Sequence, residues 1–135
     1  MSARPDATAS PRSRLILIVE DDPETRQFYA AALERGGFRI QQAHNGLQAF
    51  EKALESSPDL IVTDIAVPGI DGIELCRRIR ADARTCTIPL LAITGYGDRQ
   101  YLDRARLAGA DRVLSKPCDA ELLISEARGL LTPSK

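Results

Sequence analysis

Hydrophobic positions along the chain fall into alternating strand-like runs and helical stripes. Leu15-Ile16-Leu17-Ile18-Val19 is a continuous β-favouring run, apolar on both faces, as in a central parallel strand. Asp22 followed by Pro23 predicts a capped helix start. Thr25, Phe28, Tyr29 and Ala32 share one face of that helix, and Gly36-Gly37 ends it. Residues 38–43 read as a second strand. Leu47, Phe50, Ala53 and Leu54 mark a second helix that stops at Ser56-Ser57-Pro58. Leu60-Ile61-Val62-Thr63 is a further buried strand ending at Asp64. Pro68-Gly69 marks a loop, and residues 73–80 suggest a helix. Residues 88–93 form a strand that ends at Thr94. Residues 98–108 look helical up to Gly109, and 112–115 is the last strand. Asp119 can cap a final helix through Leu131.

Five strands alternating with five helices predict an α/β fold, a doubly wound parallel sheet covered on both faces. In such sheets the loops after the strands gather at one edge, and ligands bind there. The residues just beyond each strand are therefore the ones to inspect.

Composition narrows the classes. The 135 residues suffice for one domain with a hydrophobic core and not for two. The net charge of −1 offers no strong field to gather nucleic acid or anionic membrane, so neither is expected as a direct partner. Cys76, Cys86 and Cys118 are odd in number and widely spaced, which argues against zinc or a disulfide framework. Reduced thiols, with no apolar run of membrane-spanning length and no secretory h-region, suggest a cytoplasmic protein. Residues 1–13 are rich in Ala, Ser, Pro and Arg and read as a disordered tail. The folded domain is expected over 14–131, with 132–135 a short C-terminal tail.

The strand ends carry a constellation. Glu20, Asp21 and Asp22 follow the first strand, Asp64 the third, Thr94 the fourth and Lys116 the fifth. A helix cap explains Asp22 but not Glu20 and Asp21. Carboxylates crowded near Asp64 repel one another, and a hard divalent cation relieves that repulsion. Mg²⁺ suits such a site because it takes a few carboxylates and leaves room for a phosphate. Asp64, at the middle of the sheet edge, is placed to attack a phosphoryl group and form an acyl phosphate. The Thr94 hydroxyl can donate to a phosphoryl oxygen, with Gly95 leaving space. Lys116, held before Pro117, can offer a point charge to carboxylate and phosphate. Each residue also has an ordinary explanation as a cap, a strand residue or a surface lysine. It is their joint placement that points to chemistry.

Taken in order, Val19-Glu20-Asp21-Asp22-Pro23, the stretch from Asp64 to Gly72, Thr94-Gly95 and Lys116-Pro117 resemble the receiver domain of two-component response regulators. The resemblance covers nearly the whole chain beyond the tail. It implies a flavodoxin-like sheet of strand order 2-1-3-4-5. It implies Asp64 as phosphoacceptor, with Thr94 and Lys116 gripping the phosphoryl oxygens. Mg²⁺ would be held by Asp21 directly, by Glu20 through water, by Asp64 and by the backbone carbonyl of Ala66. The donor would be a phosphohistidine on a sensor histidine kinase or histidine phosphotransfer protein. The domain would assist its own phosphorylation and dephosphorylation rather than act as an enzyme on others. Because only four residues follow Leu131, output is expected through a downstream protein target or onward phosphotransfer, unless the chain is a receiver from a larger regulator or hybrid kinase.

One departure stands out. Val113 occupies the position three before the lysine where the family usually carries Tyr or Phe, so the usual aromatic readout is not expected. Tyr96 is a candidate replacement, and its bulk, near Ala66, could shield the acyl phosphate from water. His44, beside Asn45-Gly46, reads as a loop residue. Among rivals, a flavodoxin-like cofactor binder would need a phosphate loop where Glu20-Asp21-Asp22 stands. An Mg²⁺-dependent aspartyl phosphohydrolase would commonly carry an acid where Ala66 stands. A degenerate receiver acting only as a docking module would not need the full residue set.

Overall fold

A computed structural model describes residues 14–65, 71–95 and 99–132. Strands β1 (Leu15–Val19), β2 (Arg39–Ala43), β3 (Leu60–Asp64), β4 (Leu90–Thr94) and β5 (Arg112–Ser115) alternate with helices α1 (Pro23–Arg35), α2 (Gly46–Ser56), α3 (Gly72–Ala81), α4 (Arg99–Leu107) and α5 (Ala120–Leu131). All strand pairs are parallel, in the order β2-β1-β3-β4-β5. The fold expected from the sequence is the fold observed.

Successive strand residues point to opposite faces, so each strand feeds two cores. Leu17, Val19, Ile61, Leu90 and Ala92 pack under α2, α3 and α4, with Ile73, Leu75, Cys76 and Ile79 of α3 as the main contribution. Ile16, Ile18, Leu60, Val62, Leu91 and Ile93 pack under α1 and α5, against Tyr29, Leu33, Leu123 and Ala127. β1, β3 and β4 are buried on both sides, which explains their unbroken apolar runs.

Local chemistry sets the boundaries. The side chains of Asp22, Asn45, Asp71 and Asp119 accept from backbone N–H groups of Thr25, Gln48, Glu74 and Leu122, capping four helices. Gly109, at φ 118°, ends the segment after α4 in a conformation that favours glycine.

Several expectations shift. In α1 the buried residues are Tyr29, Ala30, Ala32 and Leu33, whereas Phe28 is 48% exposed. In α2 the buried line is Gly46, Ala49 and Ala53, with Leu47 51% exposed. Ala30 and Ala49 are buried, while Phe28 and Leu47 turn outward. β2 begins at Arg39, because the N–H of Phe38 closes α1 on the Leu33 carbonyl. β4 begins at Leu90, because the N–H of Ile88 is taken by the Thr85 carbonyl in a turn and Pro89 has none to give. α4 runs from Arg99 to Leu107, inside the expected 98–108.

Candidate functional site

The order β2-β1-β3-β4-β5 places the ends of β1 and β3 side by side, with β4 next to β3. Glu20 follows β1 and Asp64 closes β3. Both are nearly fully buried, at 1% and 6% exposure. Glu20, Asp21 and Asp64 each offer a carboxylate oxygen, and these oxygens lie within 4.8 Å of one another. Two of the three groups are buried and Asp21 is exposed, so the cluster opens to solvent on one side.

Lys116 reaches into this cluster from beyond β5. Its Nζ donates to Asp64 Oδ2 at 2.6 Å and to Glu20 Oε1 at 3.2 Å. The Lys116 N–H donates to the Thr94 carbonyl at 2.8 Å, which fixes the lysine at its root. Thr94 is fully buried at the end of β4, whose residue Ile93 is in register with Asp64. A Cβ built on Gly95 would lie 3.7 Å from Lys116 Cδ, so the lysine stem passes over that glycine.

Electrostatics follow from burial. Removal from water pushes the Glu20 carboxyl up to about 7. The Asp22 N–H at its Oε2 (3.1 Å) pulls it down, the Asp64 carboxylate pushes it up further, and Lys116 pulls it down. Burial works against the charge of Lys116, but the hydrogen bond and charge of Asp64, followed by Glu20, outweigh it and hold the ammonium above its ordinary range. One cation thus serves two buried carboxylates, with a third carboxylate alongside.

This donor set fits a hard divalent cation. All three side chains are oxygen ligands, they converge, and one face is open for water or substrate oxygens. Glu20, Asp21, Asp64 and Lys116 are brought together as the sequence suggested, and Thr94 ends the adjacent strand. Ala66, expected to give a carbonyl ligand, and Tyr96, the candidate shield, lie outside the described residues. His44 is exposed in the β2–α2 connection, where its N–H donates to Gln48 Oε1 at 3.0 Å. Val113 is half-buried and packs against the same core as Tyr101 of α4.

Two contributors escaped sequence reasoning. Gly72 begins α3 with its N–H on the Ile65 carbonyl at 2.7 Å, and a Cβ there would lie 2.4 Å from the Asp64 carbonyl oxygen. Arg26 of α1 donates to the backbone carbonyl of Glu20 at 2.9 Å. The Asp71-Gly72 pair at a helix start was the available signal for the first. Nothing in the spacing marks the second.

The match to known proteins agrees with this geometry. The model of the response regulator receiver domain matches residues 16–128. The chain belongs to that family and is a receiver domain of the two-component response regulator type. Over 116 residues it is 39% identical to the DNA-binding dual master transcriptional regulator RpaA of Synechocystis sp., a match covering 86% of this chain and 48% of that protein. The chain spans about half the length of the curated relatives it matches first. Among solved structures it is similar to the signal receiver domain of a signal transduction histidine kinase from Syntrophus aciditrophicus (TM-score 0.82, 33% identity, 90% of this chain and 96% of that one). It is also similar to the chemotaxis response regulator CheY4 of Vibrio cholerae (TM-score 0.82, 25% identity, 87% and 98%). The expectation of no direct nucleic-acid contact finds no support in these relatives, one of which is named as DNA-binding. Among the described residues, no helix is long and apolar enough to cross a membrane.

Proposed function

We propose that this receiver is a phosphorylation-controlled switch in which Asp64 accepts a phosphoryl group. The observation that carries the reading is the reach of Lys116 Nζ to both Asp64 and Glu20 inside a three-carboxylate pocket. Glu20, Asp21 and Asp64 would hold Mg²⁺, with the Ala66 carbonyl as a further ligand. The bound ion would neutralise the charge that develops on the transferring phosphoryl oxygens.

The chain's own residues do the rest. An Asp64 oxygen attacks phosphorus, the bond from phosphorus to the donor's histidine nitrogen breaks, and the imidazole departs. Lys116, already hydrogen-bonded to Asp64 Oδ2, would offer its ammonium to the oxygens of a phosphoryl group carried there. Thr94, at the neighbouring strand end, supplies a hydroxyl to the same group. The phosphoryl group adds about −1.5 to −2 charge and three strong acceptors. Contacts to it from Thr94 and Lys116 favour one arrangement of the β4–α4 and β5–α5 loops over another, which is a shift of populations.

The donor is a phosphohistidine on a sensor kinase or phosphotransfer protein. An open groove beside the pocket, lined by Thr25, Phe28, Tyr29, Lys116 and Pro117, gives such a partner a place to dock. Half-exposed Phe28 is at hand there for apolar contact. Incubation with the phosphorylated sensor kinases of the same cell tests this. Rapid transfer from one of them is expected, and failure of every kinase to label the wild-type protein would contradict it.

A further inference from the structure

Arg26 lies in the first turn of α1, facing the connection from β1. Its Nη1 donates to the Glu20 carbonyl at 2.9 Å, and its Nε donates to Gln42 Oε1 at 3.0 Å. Gln42 belongs to β2, beside β1 in the sheet, where it is in register with Ile18. One planar guanidinium therefore ties the start of α1 and the edge strand to the backbone just beyond β1.

That backbone link has a consequence for the pocket. The Glu20 carbonyl is part of the peptide plane joining Glu20 to Asp21. The plane is rigid, so fixing its oxygen fixes the direction in which the chain leaves towards the Asp21 Cα. The Glu20 carboxylate has its own restraints, the Asp22 N–H and Lys116. Among the described residues the Asp21 carboxylate has no hydrogen bond or ion pair to hold it. Its place in the cluster is set by the backbone that carries it.

We propose that Arg26, itself oriented by Gln42, is a positioning residue for the carboxylate pocket, placing Asp21 for cation binding through the Glu20–Asp21 peptide. This inference rests on the reading of the pocket as a Mg²⁺ site. It makes a prediction of unusual sign. Removing a cationic side chain near a cation site should strengthen Mg²⁺ binding if charge alone mattered. Positioning requires the opposite.

The test is calorimetric titration of the metal-free full chain with MgCl₂, with melting temperature in EDTA recorded in parallel. Arg26→Met and Gln42→Leu should each weaken Mg²⁺ binding, Arg26→Met by about tenfold or more, as for other residues that orient metal ligands. Arg26→Lys, which keeps the charge and one donor, should recover part of the loss. Melting in EDTA should move little in Gln42→Leu. Unchanged or tighter binding in Arg26→Met, with clear wild-type binding, overturns this inference and leaves the metal site standing. Weakening that merely follows a fall in metal-free stability across all three variants overturns it too. Absence of Mg²⁺ binding in the wild type overturns the metal reading and this inference together.

Discussion

Lys116 Nζ lies 2.6 Å from Asp64 Oδ2, a contact between residues 52 apart in sequence that joins the end of β5 to the end of β3. The same ammonium donates to Glu20 Oε1 at 3.2 Å, so two buried carboxylates share it. Lys116→Ala should therefore remove the ammonium that Asp64 and Glu20 both accept from, at a cost of about 1–3 kcal/mol at neutral pH. Added Mg²⁺ should restore part of that loss, because it brings positive charge to the same oxygens. Thermal melts of both proteins, with and without Mg²⁺, check this.

Gly72 allows α3 to start against the backbone of Asp64 and Ile65. A Cβ at Gly72 would sit 2.4 Å from the Asp64 carbonyl oxygen and 2.6 Å from Ile65 Cα, and neither atom belongs to a flexible side chain. Gly72→Ala should destabilise the fold by about 1–3 kcal/mol. It should also weaken Mg²⁺ binding by displacing Asp64. Denaturant titration measures the first effect and calorimetry the second.

Arg80 braces the opposite edge of the sheet. It donates to the carbonyls of Cys86, Ile88 and Gly109 and pairs with Asp111 at 2.8 Å. The same Asp111 oxygen accepts from the Leu90 N–H, so one contact network fixes the starts of β4 and β5. Arg80→Leu should cost about 2 kcal/mol or more, since the partly buried carbonyls of Ile88 and Gly109 lose their donor. Labelling by a small phosphodonor should be unaffected at temperatures where the variant remains folded.

The thiols give a pH signature. Burial pushes Cys76 up to about 11, with Arg80 pulling weakly the other way, while Cys86 is exposed. Native protein treated with iodoacetamide at pH 8 should react at Cys86 and spare Cys76. The sign of the stability effect follows from proton binding. Between the ordinary thiol value of 9.0 and about 11, the folded state keeps a proton that the unfolded chain loses. The contribution of Cys76 is fully present below that window, and stability should fall as pH rises through it. Tyr29, which burial pushes up to about 12, continues the trend in more alkaline solution. Chemical denaturation at a series of pH values measures the slope.

Most of the fold was legible because its punctuation is strong. Asp22-Pro23, Gly36-Gly37, Ser56-Ser57-Pro58 and Asp119 bound their elements as their chemistry requires. The site was legible because a parallel sheet collects its strand ends at one edge, so Glu20, Asp21, Asp64, Thr94 and Lys116 could be grouped before any contact was known. Helix faces were harder. Phe28 and Leu47 fit an apolar stripe by spacing alone, but Ala30 and Ala49 are the residues that fit against the sheet. The contacts of Arg26 with Gln42 and of Arg80 with Gly109 span 16 and 29 residues, and no local pattern encodes them.

The central claim is that Asp64 is the acceptor, and intact-mass analysis after incubation with acetyl phosphate tests it most directly. Wild-type protein should gain one phosphoryl group in Mg²⁺ and none in EDTA, and Asp64→Asn should gain none in either. A phosphoryl group retained by the Asp64→Asn variant, or a wild-type protein labelled equally well without divalent metal, would contradict the account.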